Sequence, residues 1–548
     1  MITVCLNKKN FEYDIHSLVK AFYAGEEVKV FADRERICRL EQEETPLFHL
    51  EVFYLEMTDL KIADLKTTDL ETPDLEISGE QELNWKAPDE RESDTGQIEI
   101  FLWLPPKELE KGRTFENGGY SVGAQTKVSV DFSDRKETKN RLKQGLYQML
   151  SVYTGQKLPW GTLTGIRPVK IPMAMLEQKK TEEEIKTYMA DTYFASDQKI
   201  ELSLRIAKQE MELLSQIDYR KGYSLYVGIP FCPSICSYCS FSSSPVELWQ
   251  EKIEDYLTAL EQEIDFTAEA CRQKNLNTIY IGGGTPTALS AHQLDGLLDK
   301  IKNKFNFSHL LEYTLEAGRP DSITKEKLKV LQDHGISRIS INPQTMNQKT
   351  LNLIGRKHTA VETVESFWLA REMGFDNINM DLILGLPEEN LEDVKRTMEQ
   401  VKKLSPDNLT VHSLAIKRAA RLKMYAEEYA GMQMKNSWEM VDLTAEYAEN
   451  MGMEPYYLYR QKNMAGNFEN VGYARPGKAG LYNILIMEEK QTIIACGAGA
   501  STKYVLEPDE KGNTQVERTE NVKNITQYIE RVEEMIQRKR EGIEQYIK

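Results

Sequence analysis

Between Ser224 and Ser413 short apolar runs alternate with longer amphipathic stretches. The runs are Ser224–Val227, Thr278–Ile281, Glu312–Glu316, Arg338–Ile341, Asn377–Leu384 and Asn408–Ser413. The intervening segments carry helical spacing of apolar positions. Six such units predict a parallel sheet, because consecutive parallel strands need a helical crossover between them. A doubly wound sheet and a partial barrel satisfy this pattern equally, and in both the chemistry belongs at the C-terminal ends of the strands.

Upstream, Ile2–Leu6, Val28–Phe31 and Phe48–Leu55 are short apolar runs among charged stretches, which suits a small sheet-containing unit. Ile98–Leu104 and Lys127–Phe132 read as strands, and Asn140–Tyr153 as an amphipathic helix. Glu182–Met189 and Ser196–Ile217 read as helices forming a neck before the repeating units.

At 548 residues the chain is too long for one hydrophobic core. Lys plus Arg number 69 against 86 Asp plus Glu, a net charge of -17, the wrong sign for a surface that coats nucleic acid. No apolar run approaches the length of a membrane span. The opening residues Met1 to Asn10 show neither a basic segment nor a long apolar one, so the expected location is the cytoplasm.

Residues 56–94 hold 13 acidic and 4 basic side chains, a net of -9, and Asp-Leu recurs there at Asp59, Asp64, Asp69 and Asp74. Pentad spacing resembles a pentapeptide-repeat coil, but four pentads make about one coil and solenoids need several stacked turns. The stretch reads instead as a solvated acidic insertion or linker.

Seven cysteines are too few for a disulfide scaffold, but Cys232, Cys236 and Cys239 crowd into eight positions directly after the first strand of the repeating units. This C-x3-C-x2-C loop can wrap three thiolates around one inorganic centre. Structural zinc asks for four closed ligands, and an all-cysteine cubane also asks for four. Three thiolates therefore leave a position for something exogenous or distant. Thr278–Ile281 runs straight into Gly282-Gly283-Gly284-Thr285-Pro286, where glycines let backbone approach a ligand more closely than any Cβ would allow. The turn lacks the Lys-Ser/Thr ending of a phosphate loop.

Together these motifs resemble the radical S-adenosylmethionine superfamily, and within it the oxygen-independent coproporphyrinogen III oxidase group. Ordered matches run as far as His412-Ser413, with an echo at Cys496-Gly-Ala-Gly-Ala-Ser501. The long N-terminal extension, Glu316-Ala-Gly-Arg-Pro and Asn342-Pro-Gln-Thr-Met look most like the coproporphyrinogen dehydrogenase-like branch of Gram-positive bacteria. The resemblance implies an α/β radical SAM partial (β/α)6 TIM-like barrel with an N-terminal α+β extension and a C-terminal accessory region. The corresponding segments are 1–55, a small α+β segment; 56–94, the acidic insertion; 95–175, the rest of the N-terminal domain; 176–221, the helical neck; 222–455, the radical SAM core; and 456–548, the C-terminal region.

Carried over residue by residue, the resemblance implies that Cys232, Cys236 and Cys239 hold a [4Fe-4S] cluster whose fourth iron is chelated by S-adenosylmethionine. Tyr238 matches the aromatic near adenine, and Gly283, Gly284 and Thr285 match the turn that receives the methionine amino group. Glu316 matches a cofactor-binding acid, Gln344 and Arg356 a further pair, Asp381 a ribose ligand, and Ser413 a backbone contact. Glu316 and Asp381 at strand ends would, taken alone, read as helix caps. Their convergence at one end of one sheet favours a site.

Two positions depart from the oxidase pattern Tyr-x-His-x-Pro-Phe-Cys. Tyr226 is kept as the catalytic and cofactor-side tyrosine, but Gly228 stands for the His, and Phe241 for a Cys two residues beyond the third ligand. Cluster and cofactor chemistry are expected to survive these changes. The implied reaction is oxidative decarboxylation of coproporphyrinogen III propionates to vinyl groups in haem biosynthesis, with a reductant such as flavodoxin or ferredoxin. The rivals are a haem-binding chaperone, which shares the Cys-x-Phe ending, and a radical enzyme on another substrate. A substrate with four carboxylates needs cations, for which Lys417, Arg418, Arg421 and Lys423 are candidates, with Arg319 and Arg475.

Overall fold

The computed structural model describes all residues except 24–25, 33–48, 57–94, 105–120, 418–419, 426, 428, 430, 462–467, 508–513 and 548. The acidic pentads therefore lie outside the described residues. The chain divides into two compact units, one of residues 1–165, 181–201 and 465–467, the other of residues 166–180, 202–464 and 468–548.

The first unit is built on a five-stranded sheet in the order β2-β1-β3-β4-β5. Its strands are β1 (Ile2–Leu6), β2 (Val28–Phe31), β3 (His49–Glu56), β4 (Thr95–Leu104) and β5 (Ser121–Asp131). β1 pairs in parallel with β2 and β3, while β3, β4 and β5 run antiparallel. Alternate residues Leu50, Val52 and Tyr54 on β3 and Ile98, Ile100 and Leu102 on β4 share one core with Leu18 and Val19 and with Leu142, Leu146 and Leu150. The period of two puts one strand face inward, and the helices Glu12–Phe22 and Arg135–Thr154 cover it. The second helix starts where Asp134 accepts from the Lys136 and Glu137 amides, both at 2.9 Å, and ends at Gly155 in the left-handed region.

The second unit holds an eleven-stranded sheet in the order β14-β15-β13-β12-β11-β10-β9-β6-β16-β17-β18. Six strands are those the sequence pattern predicts: β6 (Gly222–Ile229), β9 (Asn275–Gly283), β10 (Glu312–Glu316), β11 (Arg338–Ser340), β12 (Ile378–Leu384) and β13 (Asn408–Ser413). All pair in parallel with their neighbours in that series. They are buried on both faces, so they read as nearly continuous apolar runs. Two very short strands, β7 (Phe231–Cys232) and β8 (Ser244–Pro245), pair with each other and pinch the loop between them.

The remaining strands, β14 (Glu454–Tyr459), β15 (Asn470–Ala474), β16 (Thr492–Cys496), β17 (Ser501–Val505) and β18 (Val516–Glu520), flank the six. β15 adds antiparallel to β13, whereas β16 adds in parallel to β6 and β17 and β18 continue outward antiparallel. The result is an α/β partial barrel, open at β14 and β18. Among the described residues no helix is long and apolar enough to cross a membrane.

Candidate active site

β6 ends at Ile229, and the backbone continues through Pro230 into the loop that carries the three cysteines. The glycine turn after β9 packs directly under this loop. The Gly284 amide donates to the Ile229 carbonyl and the Thr285 amide to the Phe231 carbonyl, both at 2.7 Å, while Thr285 Oγ1 lies 3.5 Å from Cys232 Sγ. Gly283 has φ 108°, a left-handed conformation that favours glycine. A Cβ on Gly284 would stand 2.5 Å from the Phe231 carbonyl oxygen and 3.0 Å from Cys232 Sγ, so close approach requires glycine there. On its other side the loop is held by the Ser237 amide donating to Ile354 O and by the Ser237 carbonyl accepting from the Leu422 amide, both at 2.9 Å.

A cavity of about 240 Å³ opens at the C-terminal ends of the strands, and Cys232, Cys236, Cys239 and Tyr238 line one wall of it. Gly283, Gly284, Thr285, Glu316, Gln344, Arg356, Asp381 and Ser413 complete the set that the sequence brings to this site. Tyr226 is not among the lining residues. It stacks on Tyr280 with ring centroids 6.3 Å apart, its hydroxyl 3.3 Å from where a Cβ on Gly283 would stand. Gly228 lies behind the wall as well, with its carbonyl accepting from the Tyr256 hydroxyl at 2.7 Å.

Glu316 accepts a hydrogen bond from the Tyr280 hydroxyl, and burial pushes its carboxyl up to about 7. Gln344 sits at φ 68°, uncommon for a non-glycine residue, with its amide bonded to Asp381 O and its carbonyl to the Ile383 amide, both at 2.9 Å. Arg356 donates to the Tyr238 hydroxyl at 3.1 Å and to the Gly318 and Asn342 carbonyls at 2.8 Å. Two buried polar atoms in this wall, Gln344 Oε1 and Arg356 Nε, have no hydrogen-bond partner among the described residues. A polar ligand in the cavity would satisfy them. Asp381 Oδ1 accepts from Asn379 Nδ2 at 2.7 Å, and Oδ2 lies 3.8 Å from His412 Nε2. Burial alone would raise this carboxyl, but His412 and Asn379 hold it below its usual range. Ser413 has both donors spent, the amide on Asn470 Oδ1 at 2.8 Å and the hydroxyl on Glu469 O at 3.0 Å.

Of the candidate cations, Lys417 and Arg319 line the cavity. Arg421 is exposed and lies over the Tyr425 ring; Arg418 and the Lys423 side chain fall outside the described residues. Arg475 bonds Ser405, away from the cavity, and Arg319 is engaged by Asp321. His412 was in a matched segment but had no assigned role. It lines the cavity with Nδ1 3.2 Å from the Tyr459 hydroxyl. Alternation along β13 could have suggested that it faces the same side as Thr410, but Tyr459 comes from β14, which no local pattern ties to it.

The sequence pattern of the radical SAM superfamily matches residues 226–401. An oxygen-independent coproporphyrinogen-III oxidase-like protein of Bacillus subtilis, HemZ, is 38% identical over 414 residues, spanning 75% of this chain and 82% of its own. The chain belongs to this family of radical SAM proteins. It carries the radical SAM catalytic domain, the fold that binds S-adenosylmethionine, and it is an enzyme of that class. The heme chaperone HemW of Bacillus subtilis is 33% identical over 321 residues, 57% of this chain and 76% of its own. Among solved structures, the coproporphyrinogen III oxidase HemN from Escherichia coli is 23% identical, with a TM-score of 0.47 over 60% of this chain and 73% of that one.

The three thiols of this radical SAM domain line a common wall, although among the described residues no three Cys, His, Asp or Glu side chains converge on a single metal ion. A cubane does not require that convergence, because each thiolate binds its own iron. Burial raises the Cys232 thiol and pushes Cys239 up to about 11, so both are neutral thiols in the metal-free chain.

Proposed function

We propose that this chain is a radical SAM oxidoreductase acting on a porphyrinogen, converting propionate side chains of coproporphyrinogen III to vinyl groups. The observation that carries the reading is the gathering of the three thiols, the glycine turn and the polar residues from β10 to β13 around one cavity. Cys232, Cys236 and Cys239 would hold a [4Fe-4S] cluster, losing their protons to do so. When bound, the cluster and S-adenosylmethionine would supply one-electron cleavage of the sulfonium and abstraction of a hydrogen atom from the propionate β-carbon, with CO2 then lost and one electron passed to an external one-electron acceptor.

The chain's own residues bind, orient and exclude water. Tyr238 would pack against adenine, Gly283, Gly284 and Thr285 would receive the methionine end, and Glu316, Gln344, Arg356 and Asp381 would fix the polar groups around the sulfonium. Ser413 would contribute a backbone contact. Tyr226, behind Gly283, would act by supporting the turn and the wall. Lys417 would meet a substrate carboxylate at the mouth. A cytoplasmic location and an electron donor such as flavodoxin or ferredoxin follow from a cluster that must be reduced. Anaerobic turnover with coproporphyrinogen III, read by mass spectrometry for losses of CO2, tests the reading. Release of 5′-deoxyadenosine with no loss of CO2 would overturn the substrate assignment.

The raised carboxyl of Glu316 sets a pH dependence. Below about 7 it is protonated in the empty protein and offers no anion to a cationic ligand. Affinity for S-adenosylmethionine is therefore expected to weaken as pH falls below 7, approaching about tenfold per pH unit. Equilibrium dialysis should show that profile flattened in Glu316→Gln.

Gly228 supplies no imidazole, whereas His412 presents one at the wall, braced by Asp381 and Tyr459. Coupling to substrate is expected to depend on it. His412→Phe should still release 5′-deoxyadenosine but yield several-fold less vinyl product per deoxyadenosine formed. An unchanged ratio would place the substrate contact elsewhere.

Phe241 favours a second reading. It is 73% exposed and lines the cavity, presenting an apolar face suited to a flat macrocycle. A haem-binding chaperone would use it so. Titration with haem, followed by absorbance in wild type and Phe241→Ser, separates this from turnover.

A further inference from the structure

Arg319 follows β10 in the segment Glu316-Ala-Gly-Arg-Pro and is only 3% exposed. It lines the cavity, and its guanidinium is held by protein groups. Nε and Nη2 donate to the two Asp321 oxygens at 2.9 and 2.6 Å. Nη1 donates to the Ser234 carbonyl at 3.2 Å and hydroxyl at 3.0 Å, and to Cys236 Sγ at 3.9 Å. The cation thus stands between the carboxylate on one edge and the cysteine loop on the other.

Arginine stays protonated at any working pH, so this is a permanent positive charge against one of the three thiols. Arg319 also holds the Asp321 carboxyl below its usual range, although burial would raise it, so the counter-charge is permanent too. The third group nearby, His358, lies 4.0 Å from Asp321. Burial, followed by the charges of Arg356 and Arg319, lowers its pKa to about 3, so it stays neutral. The fixed charges around Cys236 therefore include one cation in contact, Arg319, and one anion behind it, while the Arg356 cation reaches the loop through the Tyr238 hydroxyl.

We propose that Arg319 tunes the reduction potential of the iron-sulfur cluster through Cys236, with Asp321 as its opposing counter-charge. The inference rests on the reading that Cys232, Cys236 and Cys239 hold a cluster. Reduction adds negative charge, and a cation donating to a ligating sulfur stabilises the reduced form. The effect is strong where little water intervenes. Arg319 is a positioning and tuning residue rather than a catalytic one, since its hydrogen bonds go to Asp321 and the cysteine loop.

The test is an anaerobic redox titration of reconstituted full-length protein, with dithionite and mediators and no substrate, followed by electron paramagnetic resonance of the reduced cluster. Iron and sulfide analysis comes first. Wild type that fails to hold four irons per chain overturns the cluster reading and this inference with it. Given a cluster, Arg319→Gln should shift the potential more negative, leaving Asp321 uncompensated. Asp321→Asn should shift it less negative, and the double variant should fall between. Arg319→Lys, which keeps the charge and loses the fork, should shift less than Gln. If Arg319→Gln cannot hold a cluster, the opposite signs of Arg319→Lys and Asp321→Asn decide. Potentials unchanged in these variants, or shifted in one direction by both, would overturn the proposal. A purely structural role would lower cluster content and leave the potential of the remainder unmoved.

Discussion

Alanine at Cys232, Cys236 or Cys239 is expected to abolish the iron-sulfur absorbance of anaerobically reconstituted protein, and with it all cleavage of S-adenosylmethionine. The expectation follows from how little redundancy the fold allows. The loop is pinched by the pairing of β7 with β8 and pinned through Ser237, so its sulfurs cannot be replaced by a shift of backbone. Cys271 and Cys496 are both buried. Cys496 Sγ lies 3.3 Å from both Lys539 Nζ and Thr267 Oγ1, so it is engaged elsewhere. Two thiolates would leave a second iron open, and a cluster held that loosely is lost to chelators and oxygen. Iron and sulfide content per chain is the measurement, and a Cys232→Ala protein that retains four irons would sink the assignment.

The largest stability change is expected outside the cavity lining, at Lys539. Its ammonium lies 2.8 Å from Glu263 Oε1, and the two side chains are 1% and 0% exposed. Lys539 also donates to the Ala495 carbonyl at 2.8 Å. Glu263 accepts from the Gly497 amide at 2.8 Å, from Asn521 Nδ2 at 2.7 Å and from the Tyr528 hydroxyl at 2.5 Å. Burial alone would lower the Lys539 pKa, but Cys496 and Glu263 outweigh it and raise it, which keeps the ammonium charged. Breaking a buried pair by removing one partner strands the other charge, at a cost of about 3–5 kcal/mol. Lys539→Met should therefore lower the calorimetric transition of the barrel unit substantially, and Glu263→Gln in the same protein should restore part of the loss. A single Lys539→Met variant with an unshifted transition would mean that water already reaches Glu263.

The six central strands were legible because burial on both faces leaves them apolar, and the helices between them leave no other way to pair. Caps and ends moved by a few residues, as at β11, which stops at Ser340 rather than Ile341. β14 to β18 were not legible. They are short, and nothing near Thr492–Cys496 announces a parallel partner at Gly222–Ile229. The site divides in the same way. Cysteine spacing and the glycine turn are local signals, readable in a line of residues. The contact of Arg319 with Cys236, the stack of Tyr226 on Tyr280 and the bracing of His412 by Tyr459 join different strands, and only the folded sheet brings them together. Gly228 illustrates the limit: its identity was plain, but its place behind the wall was not.

The parallel pairing of β6 with β16 also orders events during synthesis. β6 emerges from the ribosome with the cysteine loop at its end, yet the strand that covers its outer edge is made some two hundred and sixty residues later, and Lys539 later still. Until then β6 exposes a line of unpaired amides and carbonyls, an edge prone to pairing with another nascent chain. A ribosome stalled before Cys496 would thus leave a loop already bearing all three cysteines on an unsealed sheet. Nascent chains halted short of this point should be the species that chaperones retain and proteases clear.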